Sequence, residues 1–439
     1  MHNQPNNDLE QLLQDYATEP VPAHISVSGG KISEVNSALA FSLPGVMTGV
    51  VVVAEAGMAT ALWAFLLGGL ALSLVGFATG IVGVRKRVSS YMLIRDSFGS
   101  RGANIVNLCI ALSMFGWFGV NIVLFSSAME YLLADISDIT LRHWLAPVCG
   151  GALMTASAIF GFKSIQKLAA IIVPIQLLVL CVLLYKLVDQ ANFTDILSAS
   201  GTASMGLGEA VSAVVGSFIV SALVMPDLTR YGRSTKDAAI ASFLPFLGSA
   251  TLVYCISAAA AVWLSETDVL AMLQAAGLGI LALAFVIFSS TITNAVNLYG
   301  CGLSIAAIMP HFKEWQIVIF SGIAGTAVAF AGISDHFIDF IFSLGIIFMP
   351  IGAIYTAHYI LEVKSERLNK PKRPQDVSST TFSWPAMLAW LSGMGVAFLT
   401  SQEKMLLTQI PAFDALIASA LTYVVLIKIG EVAKRRGRR

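Results

Sequence analysis

Residues 37–53 have the sequence SALAFSLPGVMTGVVVV, an apolar run interrupted in its middle by Phe41-Ser42-Leu43-Pro44-Gly45. A second apolar run, residues 206–226, carries Gly216-Ser217-Phe218 at its centre. A helix interrupted inside a membrane leaves backbone N–H and C=O groups unpaired in hydrocarbon, which is costly unless protein, water or a ligand bonds to them. Because the two runs stand at corresponding places in the chain, the sequence predicts two broken helices beside a binding site at the membrane midplane.

The composition is that of a membrane protein. The 439 residues are 56% apolar and only 12% charged, whereas a soluble domain has roughly 25% charged residues. Many apolar runs reach the ~20 residues that a helix needs to cross a bilayer. We therefore predict an all-α polytopic membrane protein with about twelve transmembrane helices. The predicted spans are residues 34–57, 58–84, 103–134, 143–162, 168–188, 206–226, 238–264, 277–306, 315–332, 336–362, 384–400 and 412–429.

The positive charges predict the orientation. If the N-terminus is cytoplasmic, all of the 26 Lys and Arg residues except Arg142, Lys186 and Lys404 fall on the cytoplasmic side. Basic residues accumulate in cytoplasmic loops of membrane proteins. The expected protein is a multi-pass protein of the cell inner membrane with both termini in the cytoplasm.

The layout of the spans suggests an internal repeat, since spans one to five and six to ten each begin with the interrupted helix. A polar linker separates the last two spans from the rest. The predicted units are an N-terminal cytoplasmic segment (1–33), a ten-helix core (34–362) made of two repeats (34–188 and 206–362), a cytoplasmic linker (363–383), two accessory helices (384–429) and a basic tail (430–439).

The third span places polar and aromatic residues on one helix face, since Ser113, Trp117 and Asn121 are four residues apart. Trp is common at membrane interfaces, whereas Trp117 lies near the centre of its span. Two interpretations remain open: a packed aromatic side chain, or a stacking platform for a planar heterocycle, whose ring would offer a π-face.

The eighth and sixth spans carry further polar side chains. Ser290, Thr293, Asn294 and Asn297 form a stripe along the eighth span, and such a stripe either bonds neighbouring helices or lines a cavity. On the sixth span, Ser217 and Ser221 share a face beside Phe218. Either Ser217 and Phe218 contact a ring, or Gly216 and Ser217 are small residues at a helix contact.

The chain lacks the common catalytic motifs. There is no GxxxxGK[ST], HExxH or CxxC sequence, so we expect neither an enzyme nor an organic cofactor, and no nucleic-acid partner. Glu130 and Asp339 are acidic residues within predicted spans, and their roles stay open.

Five motifs together resemble the nucleobase-cation-symport family, and within it the bacterial cytosine permeases. They are GWFGV (116–120), VVGSF (214–218), DLTRYGR (227–233), TNAVNLYGCGL (293–303) and PIGAIYTAHYIL (350–361). The resemblance spans residues 29–362. It implies a leucine-transporter-like fold with a five-plus-five inverted repeat and two extra helices. It also implies symport of a nucleobase with a cation by alternating access.

The resemblance implies roles for individual residues. Trp117 matches a Trp that stacks on the base, Ser217 and Phe218 match sixth-helix contacts, and Asn294 matches an amide that binds the base. Other polar residues stand where relatives differ from one another. The predicted substrate-binding set is Trp117, Asn121, Ser217, Phe218, Ser221, Ser289 and Asn294.

The family's sodium site implies cation ligands at Ala38, Phe41, Ser289 and Thr293. Where cytosine permeases have two adjacent hydroxyls, this chain has Ile292 followed by Thr293, so one ligand is missing. The coupling ion is therefore predicted as Na⁺ with H⁺ as the alternative.

The first substrate candidate is cytosine. Hydantoin, allantoin, a purine or a thiamine-precursor pyrimidine is the alternative within the family. Outside it, a channel or a ligand sensor that does not transport remains possible on the sequence. We expect a monomer in the lipid bilayer.

Overall fold

Long apolar segments with few helix breakers fold almost entirely as helices in the computed structural model. It describes residues 20–22, 24–137, 142–159, 162–309, 311–368, 381–404 and 407–436. Within them the helices are α1 (Gly29–Ala40), α2 (Leu43–Ala56), α3 (Met58–Lys86), α4 (Ser90–Ser137), α5 (Leu145–Ile159), α6 (Phe162–Gln190), α7 (Phe193–Ser198), α8 (Leu207–Leu223), α9 (Met225–Thr229), α10 (Thr235–Phe243), a π-helical turn (Leu244–Ala250), α11 (Thr251–Leu264), α12 (Val269–Ala275), α13 (Ile280–Ile308), α14 (Glu314–Phe330), α15 (Phe337–Leu368), α16 (Trp384–Ser401) and α17 (Pro411–Arg436).

The predicted all-α membrane architecture is confirmed. Eight segments in the described part of the chain are long and apolar enough to cross a membrane, judged by length and composition. They are Met58–Lys86, Ser90–Leu133, Ile172–Gln190, Leu207–Thr229, Thr235–Leu264, Ile280–Gly302, Phe337–Lys364 and Pro411–Ala433. The shorter apolar helices are Leu43–Ala56, Leu145–Ile159 and Trp315–Phe330. The total of twelve spans stays a prediction.

The predicted cytoplasmic segments are only partly covered. Most of the N-terminal segment 1–33 and of the linker 363–383, and the last three residues of the tail 430–439, lie outside the described residues. Helix α15 continues into the predicted linker, to Leu368, and α17 continues into the predicted tail, to Arg436.

The first helix interruption lies where the sequence places it. Helix α1 ends at Ala40, Phe41 adopts φ −76° and ψ 0°, and Ser42 is extended at φ −77° and ψ 167°. Pro44 then stands in the first turn of α2. A proline is well tolerated there, because the first N–H groups of a helix have no intrahelical acceptor.

The prediction of a second break at Gly216-Ser217-Phe218 is wrong. Helix α8 runs unbroken through these residues, and its interruption falls at Val224, with φ −88° and ψ 12°. Glycine costs an interior helix position only about 1 kcal/mol, which tertiary packing outweighs. A Cβ on Gly216 would lie 1.6 Å from the carbonyl oxygen of Ile341, so Gly216 allows close contact between α8 and α15.

The interruption at Val224 follows from Pro226, whose ring excludes an intrahelical bond to the carbonyl of Ala222. That carbonyl accepts a hydrogen bond from the Thr79 hydroxyl of α3 at 2.7 Å. The neighbouring carbonyl of Leu223 accepts one from the Tyr355 hydroxyl of α15 at 2.6 Å. Side chains of α3 and α15 thus donate hydrogen bonds to the last two carbonyl groups of α8.

Several predicted cytoplasmic segments meet at one end of the molecule. Lys86 at the end of α3 pairs with Glu362 of α15 at 2.5 Å and with Asp96 at 3.6 Å. The Arg87 guanidinium donates to the carbonyl of Pro22 at 3.0 Å, and the Ser90 hydroxyl donates to Asp227 at 2.7 Å. The N-terminal segment, the α3–α4 turn and the loop after α8 therefore share a side, as the charge pattern predicts.

The tight contact at Gly216 allows a test of helix packing. We expect Gly216→Ala to lower the melting temperature of the purified protein, because overpacking costs about 1–3 kcal/mol. The matched control is Gly395→Ala in α16, where an added Cβ meets nothing within 4 Å and helix propensity favours alanine. Equal melting temperatures for the two variants would contradict this account of the α8–α15 contact.

Candidate functional site

The hydroxyl of Ser289 bridges three helices at the first interruption. It accepts a hydrogen bond from the backbone N–H of Leu43, the first residue of α2, at 2.8 Å. It accepts a second from Nε2 of Gln176 on α6, at 2.9 Å. Ser289 is fully buried, and Gln176 is only 1% exposed. The interruption is thus held by a polar contact among α2, α6 and α13.

Several buried polar atoms near these helices have no hydrogen-bond partner among the described residues. An unsatisfied buried polar group costs about 1–3 kcal/mol, so each one calls for an explanation, such as an ion or a bound molecule. On α1, α4, α6 and α13 they are Oγ of Ser37, Nδ2 of Asn107, Oδ1 of Asn121, Oε1 of Gln176, Oγ of Ser290 and Oγ1 of Thr293.

The ring of Trp117 lies against two aromatic side chains of α15. Its centroid is 5.2 Å from that of Phe340 and 5.9 Å from that of Phe337, with interplanar angles of 72° and 73°. The absence of a side chain at Gly116 makes room for the Phe340 ring, which lies 2.4 Å from the place a Cβ would take. Trp117 is thus held in a fixed aromatic cluster at the middle of α4.

The sixth-span residues are tied to the π-helical turn and α11. Oγ of Ser217 donates to the carbonyl of Val214 at 2.7 Å, and Tyr254 of α11 bonds to the same Oγ at 2.8 Å. The ring of Phe218 is 6.5 Å from that of Phe246. Ser221 is half-buried. Since Ser217 uses its only hydrogen within its own helix, Tyr254 is the donor of the second bond.

The amide of Asn294 holds helices together. Its Nδ2 donates to the carbonyl of Phe118 on α4 at 3.0 Å and lies 3.1 Å from the sulfur of Met154 on α5. Its Oδ1 accepts from Nδ2 of Asn297 at 3.3 Å. At this level, the polar stripe of the eighth span therefore bonds neighbouring helices, one of the two interpretations that the sequence left open.

A profile of the family described as permeases for cytosine/purines, uracil, thiamine and allantoin matches residues 40–426, most of the chain. The chain belongs to this permease family. The protein is accordingly a multi-pass membrane permease of the nucleobase transporter type, rather than an enzyme.

Individual relatives agree with the family. The permease is 28% identical over 367 residues to a cytosine permease of Escherichia coli K12, covering 83% of this chain and 82% of the relative. It is 25% identical over 357 residues to a hydantoin permease of Microbacterium maritypicum, covering 74% and 71%. The inward-facing structure of Mhp1 superposes with a TM-score of 0.81 at 19% identity, covering 95% of this chain and 93% of Mhp1. That likeness confirms the predicted leucine-transporter-like fold and concerns the fold alone.

The predicted residues of the permease form two neighbouring groups. Ser289 lies at the helix interruption, and Thr293 follows one turn later on the same face of α13. On α4, Nδ2 of Asn121 donates to the carbonyl of Trp117 at 2.8 Å. The bond from Asn294 to Phe118 joins the two groups, because these residues directly follow Thr293 and Trp117.

Other predicted residues stand apart from these bonds. Ser217, Phe218 and Ser221 belong to α8, and the hydrogen bond that the Ser217 side chain makes outside its own helix leads to Tyr254 of α11. Ala38 lies in α1, two residues before the helix ends at Ala40, and Phe41 forms the interruption itself. An apolar groove of about 530 Å³ between α5 and α14 is lined by none of the predicted binding residues.

Gln176 and Tyr254 are residues of this region that the sequence patterns did not predict. A signal for Gln176 existed, since it is the only amide or charged residue within 168–185, and isolated polar residues in spans are functional candidates. Tyr254 had no such signal, because an aromatic residue in an apolar run is ordinary.

The Ser289 bridge predicts a large stability effect. We expect Ser289→Ala to destabilise the purified permease by about 1–3 kcal/mol, because the Leu43 N–H loses its acceptor in a buried place. The control is Ser242→Ala, an equally buried serine whose hydroxyl donates within its own helix, to Ala238 at 2.8 Å. If both variants melt at the same temperature, the bridge does not stabilise the interruption.

Proposed function

We propose that this permease imports a nucleobase, cytosine first among the candidates, together with a cation by alternating access. Family membership and the cytosine permease relative support this proposal. The observation that carries it is that buried oxygens without partners lie on α4 and α13, at Asn121 and Thr293, and that Asn121 and Asn294 bond to the carbonyls of Trp117 and Phe118. Those oxygens offer a hydrogen-bond acceptor and a cation ligand on the two helices that meet at Trp117.

Trp117 and Phe218 would enclose the ring of the substrate, while Ser217, Ser221, Ser289 and Asn294 supply polar contacts. Asn121 has the clearest role. Its Nδ2 is held by the Trp117 carbonyl, so its Oδ1 is the free atom and can accept from an amino group or a ring N–H. A pocket built on hydrogen bonds rejects an analogue that leaves such a group unpaired.

The stacking role of Trp117 is directly testable. We expect Trp117→Ala to abolish uptake of radiolabelled cytosine into cells while leaving the amount of protein in the membrane unchanged. Trp117→Phe should retain part of the uptake, because a smaller aromatic face remains. The control is Trp63→Ala on α3, whose side chain is 60% exposed on the surface of the helix bundle. Uptake by Trp117→Ala at the wild-type level would refute the stacking role.

A hydantoin is the second substrate candidate, because one relative is a hydantoin permease. A hydantoin also offers ring N–H donors to the Asn121 oxygen. Competition of unlabelled cytosine, hydantoin, allantoin and purines with the labelled substrate would rank these candidates.

The cation site is proposed at Ala38, Phe41, Ser289 and Thr293, with Na⁺ as the first candidate and H⁺ as the second. The Phe41 carbonyl is available to a ligand, because the following turn donates no hydrogen bond to it. Pro44 has no N–H, and the Gly45 N–H bonds to Ser42 instead. Thr293 contributes an unpartnered Oγ1. Ile292 packs with Ile172 and Ala295, so it offers no oxygen at its position.

Replacing Ile292 tests the coupling ion. We expect Ile292→Thr to lower the Na⁺ concentration that gives half-maximal uptake, because an added hydroxyl supplies one more oxygen ligand. Ile292→Val is the matched control, since it has nearly the same shape as Thr without the hydroxyl. Uptake that depends on a proton gradient and ignores Na⁺ in the wild type and in Ile292→Thr would favour H⁺ coupling.

For location, we propose a monomer in the inner membrane with both termini in the cytoplasm. The meeting of Lys86, Arg87 and the loop after α8 at one end supports this orientation. A channel would show uptake that does not saturate, and a sensor would bind substrate without accumulating it, so uptake kinetics separate both alternatives from a symporter.

A further inference from the structure

We infer that Gln176 of α6 supplies an oxygen ligand to the coupling cation, replacing the hydroxyl that is absent at Ile292. This inference rests on the proposed cation symport and adds a residue from a helix outside the predicted cation site. It also explains how the site can function with an isoleucine at position 292.

The hydrogen bonds at Ser289 leave the Gln176 side-chain oxygen, rather than the Ser289 hydroxyl, available to bind a cation. A serine hydroxyl has two lone pairs and one hydrogen. Both lone pairs of Ser289 Oγ are occupied, by the Leu43 N–H at 2.8 Å and by the Gln176 Nε2 at 2.9 Å. The Ser289 side chain therefore cannot also coordinate a cation while these bonds persist, and its backbone carbonyl is the remaining ligand at that residue.

The Oε1 atom of Gln176 is buried, unpartnered and a pure acceptor. The residue is 1% exposed, and Oε1 has no hydrogen-bond partner among the described residues. The unpartnered hydroxyls of Thr293 and Ser290 are able both to donate and to accept, whereas an amide oxygen only accepts and needs either a donor or a cation. Amide carbonyls are among the oxygen ligands of hard cations.

The packing of α6 on α13 places Gln176 and Ile292 on one contact face. Ile172, one turn before Gln176, packs in one cluster with Ile292 and Ala295. Gln176 then meets Ser289, one turn earlier on α13, so the two helices run antiparallel here. An apolar side chain at 292 and an amide at 176 therefore face the same stretch between α6 and α13.

The rival interpretation is that Gln176 only pins α6 to α13. The two interpretations differ in how the protein responds to sodium without any substrate. A ligand that binds the folded state raises the melting temperature according to its concentration and affinity. If Gln176 only holds α6 against α13, its replacement changes stability to the same extent at every sodium concentration.

The test uses the purified full-length permease, whose melting temperature is measured across a NaCl titration with choline chloride holding the ionic strength constant. We expect sodium to stabilise the wild type in a saturable manner. In Gln176→Leu, the half-maximal sodium concentration should rise at least about tenfold, because an oxygen ligand is lost. Gln274→Leu on α12 is the matched control, because it makes the same change at another amide with an unpartnered atom, and it should titrate like the wild type.

Gln176→Glu is the second variant, which keeps an oxygen at the position in case Gln176→Leu does not fold. It should retain the sodium response, and this response should weaken as the pH falls and the new carboxylate becomes protonated. A sodium titration of Gln176→Leu equal to that of the wild type, or a Gln176→Glu response independent of pH, would overturn the role of Gln176 and leave the proposed symport intact. A wild-type melting temperature that does not change with sodium would overturn both the sodium coupling and this inference.

Discussion

Backbone groups at an interrupted helix must find partners inside an apolar protein. At the first interruption of this permease, the Leu43 N–H finds the Ser289 hydroxyl, which in turn holds the amide of Gln176. Without this contact α2 would begin with a buried, unpaired donor, and such a group costs more than a normal hydrogen bond contributes. A single oxygen atom therefore links α2, α6 and α13 at the interruption.

The second interruption follows the same rule with different residues. Thr79 of α3 and Tyr355 of α15 bond to the two carbonyls that the Val224 interruption leaves free. In both cases hydroxyls from distant helices, rather than a ligand, satisfy backbone groups of the break. The interrupted helices are thus held by side chains of the protein itself.

Local chemistry explains which features could be predicted from the sequence. Run length and apolar composition predict the helices, and Pro44 predicts the first interruption because proline lacks the N–H that a continuous helix needs. Gly216 gave the wrong position for the second, since a glycine signals either a weak helix or a close contact and only the neighbouring α15 shows which applies. Pro226 was the better signal, and it lies about two turns beyond Gly216-Ser217-Phe218. The contribution of Gln176 depends on α13 being beside α6, a long-range contact that no local pattern contains.

Within two turns, helix α13 carries both residues that hold neighbouring helices and residues of the candidate site. Ser289 and Asn294 form polar contacts with α2, α4, α5 and α6, whereas the hydroxyls of Ser290 and Thr293 have no partners among the described residues. A polar stripe on a membrane helix is therefore not uniformly a lining of the binding site. Loss of transport after a substitution at Ser289 or Asn294 can arise from displaced helices, but the same loss at Thr293 with unchanged stability indicates a direct contact. Stability measured beside uptake is what separates the two kinds of residue, because burial and sequence pattern are the same for both.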